Sequence, residues 1–208
     1  MLTLWVVLDD DAELQDRDSL ARILRVLALR PDVACLALNC QGSWRGGPPL
    51  EQMALLPGRW AQSAPEAVGG ERAWPVAEFI GAGCAFDMDA FRAAGGFPPG
   101  YGYGYEEPHL AYRLLDAGRS ILYVQSIQVR HHHSTTWRVP NAERMSSLVS
   151  NKCAMAAELF PVPSIPPAVA LFAGRVIYEG LRSRVRGVHP RIVERNVKIL
   201  LRTRNAQG

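Results

Sequence analysis

The alternation of apolar and polar positions divides the chain into short strand-like runs and helical stripes. Leu4-Trp5-Val6-Val7-Leu8 is an unbroken apolar run that ends abruptly in Asp9, Asp10 and Asp11. Leu20, Leu24, Leu27 and Ala28 recur at helical spacing, Pro31-Asp32 closes that helix, and residues 33–38 form the next strand-like run. From 39 to 74 the periodicity fades among Gly42, Gly46, Gly47, Pro48, Pro49, Gly58, Gly69 and Gly70, which predicts a long irregular excursion, usually functional or mobile. Order then returns, with a small-residue strand over 79–86, a short helix over 88–94 and a Gly95-Gly96-Phe97-Pro98 turn. A loop of Gly and Tyr follows, then a helix over 106–117 with Leu110, Leu114 and Leu115 inward and Gly118 as its stop, then a strand over 121–129. Strands alternating with helices predict an α/β sheet. After Pro140 the pattern is helical and amphipathic, broken at Pro161, Pro163, Pro166 and Pro167, so a boundary is expected near Pro140, between residues 1–138 and 139–208.

Composition narrows the class. With 208 residues, 48% of them hydrophobic and 21% charged, the chain can bury one ordinary core and is not disordered. Cys35, Cys40, Cys84 and Cys153 form no Cys-x-x-Cys pair and sit in apolar surroundings, which fits reduced thiols of a cytoplasmic protein. The longest late apolar run, 168–174, is too short to span a bilayer, and no leader pattern opens the sequence; a soluble or peripheral protein is expected. Charge is unevenly spread: residues 174–208 hold nine Arg or Lys against Glu179 and Glu194, so a tail of +7 follows a body of −4 within a net +3. Such a tail suits an anionic membrane surface or a polyphosphate, or is simply a solvated helical face.

Three clusters carry candidate chemistry. Acids at the carboxyl end of a strand stand where open α/β sheets bind ligands. In extended chain Asp9 and Asp11 project to one side and Asp10 to the other, and a divalent cation, Mg²⁺ or Mn²⁺, would relieve the repulsion of the pair. The plain alternative is an acidic helix start capped by Asp11. Glu106 and Glu107 open a helix behind the Gly/Tyr loop, where adjacent carboxylates raise one another's proton affinity, as a general base for a sugar hydroxyl requires, or simply cap that helix. His131, within His131-His132-His133, falls on the face of Ile127 and Val129 at a strand end and could complete a metal site, although surface histidines with no role are common.

Taken in order, "VVLDDDAEL", "IGAGCAFDMDAFRAAGGF", "GYEEPHLAYRLLDAG" and "YVQSIQVRHHH" resemble successive blocks of the family 2 glycosyltransferases of GT-A fold, across residues 4–134 and more loosely through "VSNKCAMAAELFPVP". The most specific part is the Gly-Gly-Phe turn followed by the acidic pair, with Arg113 in the next helix. The resemblance implies a partial GT-A, Rossmann-like mixed sheet with flanking helices, followed by a C-terminal helical region like that of bacterial members that build surface polysaccharides. By position it implies a metal held by Asp9, Asp11 and His131. Asp9, Asp10, Gly81, Ala82 and Gly83 would lie at donor and acceptor, with the small residues there to avoid collision with substrate. The catalytic base would be within Glu106 and Glu107. The implied reaction is inverting transfer from a nucleotide-sugar donor to a glycan or lipid-linked acceptor, with no role for nucleic acid, at the cytoplasmic face of the plasma membrane. Pro108, His109 and Gln125 depart from the family pattern.

The family places further strand–helix units, which hold the nucleotide, ahead of the acidic motif, and only eight residues precede Asp9 here. The sequence therefore reads as the latter part of a larger enzyme, expected to self-associate or to need a partner chain, and to be inactive alone. A non-catalytic remnant that binds partners or glycan is the rival reading, and a metal-dependent phosphoesterase is a third that leaves the acidic pair unexplained.

Overall fold

A computed structural model describes residues 3–42, 65–132 and 141–168, with 170, 171 and 174. These form two compact units, one running to Pro98 and resuming at Glu107, the other made of residues 99–106 and the described residues after 140.

The first unit is a mixed sheet flanked by helices. Its strands are β1 (Leu4–Leu8), β2 (Ala12–Leu14), β3 (Val33–Gly42), β4 (Glu66–Val68), β5 (Glu71–Pro75), β6 (Gly83–Asp87) and β7 (Ser120–His131), in the spatial order β1-β6-β3-β7-β5-β4, with β2 pairing the far end of β7. The β3–β7 pair is parallel and the others are antiparallel. The helices are α1 (Ser19–Leu29), α2 (Met88–Ala93) and α3 (Glu106–Asp116), whose Glu106 belongs to the second unit.

Period-two alternation sorts the central strands onto two cores. Cys35, Ala37, Cys84, Phe86, Ile121 and Tyr123 pack against Leu110, Ala111 and Leu114 of α3. Leu36, Leu38, Ala85, Leu122 and Val124 pack against Ile23, Val26 and Leu27 of α1. A bulge then reverses the parity of β7: pairing jumps from Leu38↔Val124 to Asn39↔Gln128, Gln125 and Ser126 turn outward, and Ile127 and Val129 take over the α1 face. Asn39 Nδ2 donates to the Gln125 carbonyl at 2.8 Å, partly satisfying the interrupted ladder.

Several expectations change. The stripe expected of α1 is rotated, since Ile23, Val26 and Leu27 are buried while Leu20 and Leu24 stay exposed. Both described ends of the expected irregular excursion are regular: β3 runs on to Gly42, and β4 and β5 form a hairpin closed by Gly69 and Gly70, both at positive φ. Strand β6 begins at Gly83 rather than at 79, because Gly83 N donates to the Ile80 carbonyl in a turn. The Gly-Gly-Phe turn forms as read, with Gly95 and Gly96 at positive φ and the Arg113 guanidinium packed against Gly95. Gly118, also at positive φ, ends α3.

The second unit is organised by α4 (Asn141–Leu159), followed by a 3₁₀ turn, Val162–Ser164. Asn151 is buried and donates through Nδ2 to the Tyr103 and Gly104 carbonyls at 3.1 and 2.7 Å. Tyr105 holds a left-handed φ of 71° with Lys152 Nζ over its ring. Among the described residues no helix is long and apolar enough to cross a membrane. The boundary near Pro140, His133 and all of the basic tail but Gly174 lie outside the described residues.

Candidate active site and metal centre

The acidic run does not stay extended. Ala12 N donates to the Asp9 carbonyl at 3.0 Å, so the chain turns at Asp10 and Asp11 and re-enters the sheet as β2. Pairing of Ala12 with His131, and a 2.8 Å bond from His132 N to the Asp11 carbonyl, carries Asp11 from the end of β1 to the end of β7. His131 Nε2 lies 2.8 Å from Asp11 Oδ1 and 3.5 Å from Asp9 Oδ2. One ligand atom from each of Asp9, Asp11 and His131 falls within 4.8 Å of the others, and the three side chains range from exposed to half-buried. Asp10 is exposed beside them. Asp11 does not cap a helix, because α1 begins at Ser19 with Asp18 as its N-cap.

Two carboxylates and one imidazole gathered this closely suit a divalent cation, whose charge would offset the carboxylate repulsion. Beside the cluster, His132 Nε2 meets Glu13 Oε1 at 3.1 Å, and that bond is the first cause holding the Glu13 carboxyl below its usual range. Burial, then Cys84 and Asp9, push the Cys40 thiol up to about 12, so it stays protonated.

The small residues lie at the start of β6. Gly81 N donates to Glu107 Oε1 at 3.3 Å, Ala82 is buried, and Gly83 pairs with Leu8 at the end of β1. A Cβ at Gly83 would stand 2.6 Å from Cys40 Sγ and 2.9 Å from Val129 Cγ2. Thus the protein's own packing demands smallness at 83. Glu106 and Glu107 occupy the first turn of α3 and differ in surroundings: Glu107 meets the Gly81 amide, whereas Glu106 Oε2 is buried with no hydrogen-bond partner among the described residues. The buried Cys84 thiol is raised foremost by burial, with Cys35, Glu107 and Asp9 adding to it, so Glu107 and Asp9 act on the same end of β6. β2 and the Gly81–Glu107 contact were missed by sequence reasoning. A three-residue strand has no measurable alternation, and a main-chain donor leaves no mark in the sequence.

No protein-family model and no curated protein matches the sequence. Among solved structures the chain is similar to GalNAc-T7 with UDP, GalNAc and Mn²⁺, at 14% identity and a TM-score of 0.55, over 74% of this chain and 31% of that one. A mannosyltransferase, PcManGT from Pyrobaculum calidifontis, in complex with GDP-Man and Mn²⁺, aligns over 98% of this chain and 55% of its own length, at 18% identity and a TM-score of 0.48. The chain thus spans 31% and 55% of the length of these proteins. Its fold is GT-A-like.

Proposed function

We propose that the chain is the metal- and acceptor-binding part of an inverting, metal-dependent glycosyltransferase of family 2, of the kind that builds bacterial surface polysaccharide. The observation that carries this is the meeting of Asp9, Asp11 and His131 at the carboxyl end of β1 in a GT-A-like sheet. The UDP, GalNAc and Mn²⁺ bound by the structural neighbour GalNAc-T7 support a metal-dependent glycosyltransferase.

In this reading Asp9, Asp11 and His131 would hold Mg²⁺ or Mn²⁺, which when bound offsets charge on the departing nucleotide diphosphate. Asp9 and Asp10 would lie along the donor, Gly81, Ala82 and Gly83 beside the sugar, and a carboxylate of the Glu106–Glu107 pair would take the acceptor proton. In this reading residues 1–138 would be the catalytic part and 139–208 a basic helical region. That region would rest on anionic lipid at the cytoplasmic face, which brings a lipid-linked or glycan acceptor within reach. Sedimentation with anionic liposomes tests the placement: binding should fall as salt rises, and salt-insensitive or absent binding removes it.

Calorimetry tests the centre. Mn²⁺ should bind saturably to the wild type, more tightly with a nucleoside diphosphate present, and Asp11→Ala should lose the binding. A wild type that takes up no Mn²⁺ under either condition would sink the proposal.

A further inference from the structure

We propose that Gly81 is a positioning residue for Glu107, its main-chain N–H aiming the carboxylate that serves as the base; this rests on the transferase reading above. Gly81 has no positive φ, so the backbone conformation does not require glycine there. The contact does. Its N–H donates to Glu107 Oε1 at 3.3 Å, and a Cβ at this position would stand 2.7 Å from that oxygen, well inside ordinary contact.

The backbone on both sides of the contact is anchored. The Gly81 amide belongs to the turn in which Gly83 N donates to the Ile80 carbonyl, and that turn is wedged by buried Ala82 and by Gly83 against Cys40 and Val129. Glu107 stands on the first turn of α3, which Leu110, Ala111 and Leu114 anchor in the core. An N–H donor fixes the plane of a carboxylate without taking up the proton it must accept. Glu106 lacks this anchor, which assigns the base role to Glu107. In the transfer step Glu107 takes the acceptor hydroxyl proton as the new oxygen–carbon bond forms. The bond from the anomeric carbon to the diphosphate oxygen breaks, and its electron pair leaves with the diphosphate. Smallness at 81 therefore serves the enzyme's own base rather than clearance for the sugar.

The contact is tested by NMR on the wild type and Glu107→Gln. The Gly81 amide proton should follow a carboxylate titration in the first and lose that dependence in the second. An amide indifferent to both overturns the proposal. Kinetics on the full natural protein test the consequence. Gly81→Ala should lower kcat by about 10- to 100-fold, as small misplacements of reacting groups do, with both KM values nearly unchanged. Adding the shorter Glu107→Asp to Gly81→Ala should recover part of that loss. A raised donor KM at unchanged kcat would instead mean that residue 81 makes room for substrate, and would overturn it. A full-length wild type with no transfer to any acceptor strikes down the transferase reading, while the amide titration still decides the contact.

Discussion

At the scale of single residues, the centre depends on side chains held by their neighbours' main chain. Asp11 reaches His131 because its own carbonyl accepts from His132 N and Ala12 pairs across to His131, so the cluster is built into the ladder. Gly83 shows the same dependence from the steric side. Gly83→Ala would press a methyl onto Cys40 Sγ and Val129 in the interior and should cost about 1–3 kcal/mol, read as a lowered urea midpoint with an unchanged slope. Exchange of Cys40 for the smaller Ala alongside it should restore part of the loss; an unshifted midpoint in the single variant would refute the packing account. The residue types of the centre were legible because three acids directly follow an unbroken apolar run and a histidine closes another strand-like run. Their meeting was implied by the family resemblance, but the route was not legible from spacing, because that reading assumed extended chain through Asp11, where the protein makes a turn.

Among elements, α1 is fastened by a network that no periodicity announces. Arg22 grips Glu71 of β5 through Nε and Nη2, each 2.7 Å from a carboxylate oxygen, and Ser126 from the β7 bulge also donates to Glu71. Glu71 is 7% exposed, so its charge is compensated inside the protein. Glu71→Gln should therefore cost about 2–3 kcal/mol, the worth of hydrogen bonds between charged groups. The Arg22 bond, foremost, lowers the Glu71 carboxyl below its ordinary 4.5 in the folded state. A depressed folded value means the stabilisation is fully present above about pH 4.5 and fades as pH falls toward the folded value. Urea titrations from pH 6 downward should thus converge for wild type and Glu71→Gln; a gap that stays constant into acid would contradict the linkage. The helices themselves were legible within a residue or two at their ends. The inward face of α1 was not, since Leu20 and Leu24 fit a helical stripe as well as Ile23 and Val26 do, and only the sheet beneath decides between them.

For the molecule as a whole, the sheet ends at β1, which among the described residues has β6 as its sole neighbour. That edge carries Trp5, which is 38% exposed, together with Leu4, Val6, Val7 and Leu8, and has no Pro or Lys to blunt it. The chain on its own should therefore self-associate, seen as a sedimentation coefficient that rises with concentration; a single monomer boundary at all concentrations would count against this. The α/β class, the succession β1-α1-β3 and then β6-α2-α3-β7, the glycine turns at 95–96 and the chemical identity of the candidate ligands were all determined by the sequence, because each follows from local spacing and residue type. Tertiary structure alone decided that β1 and β7 bring their ends to one place through β2, that a bulge resets which face of β7 carries Ile127 and Val129, and that Gly81 serves Glu107. The physical reason is common to all three. Each depends on hydrogen bonds between segments tens of residues apart, and main-chain donors and acceptors are the same for every residue type that carries them.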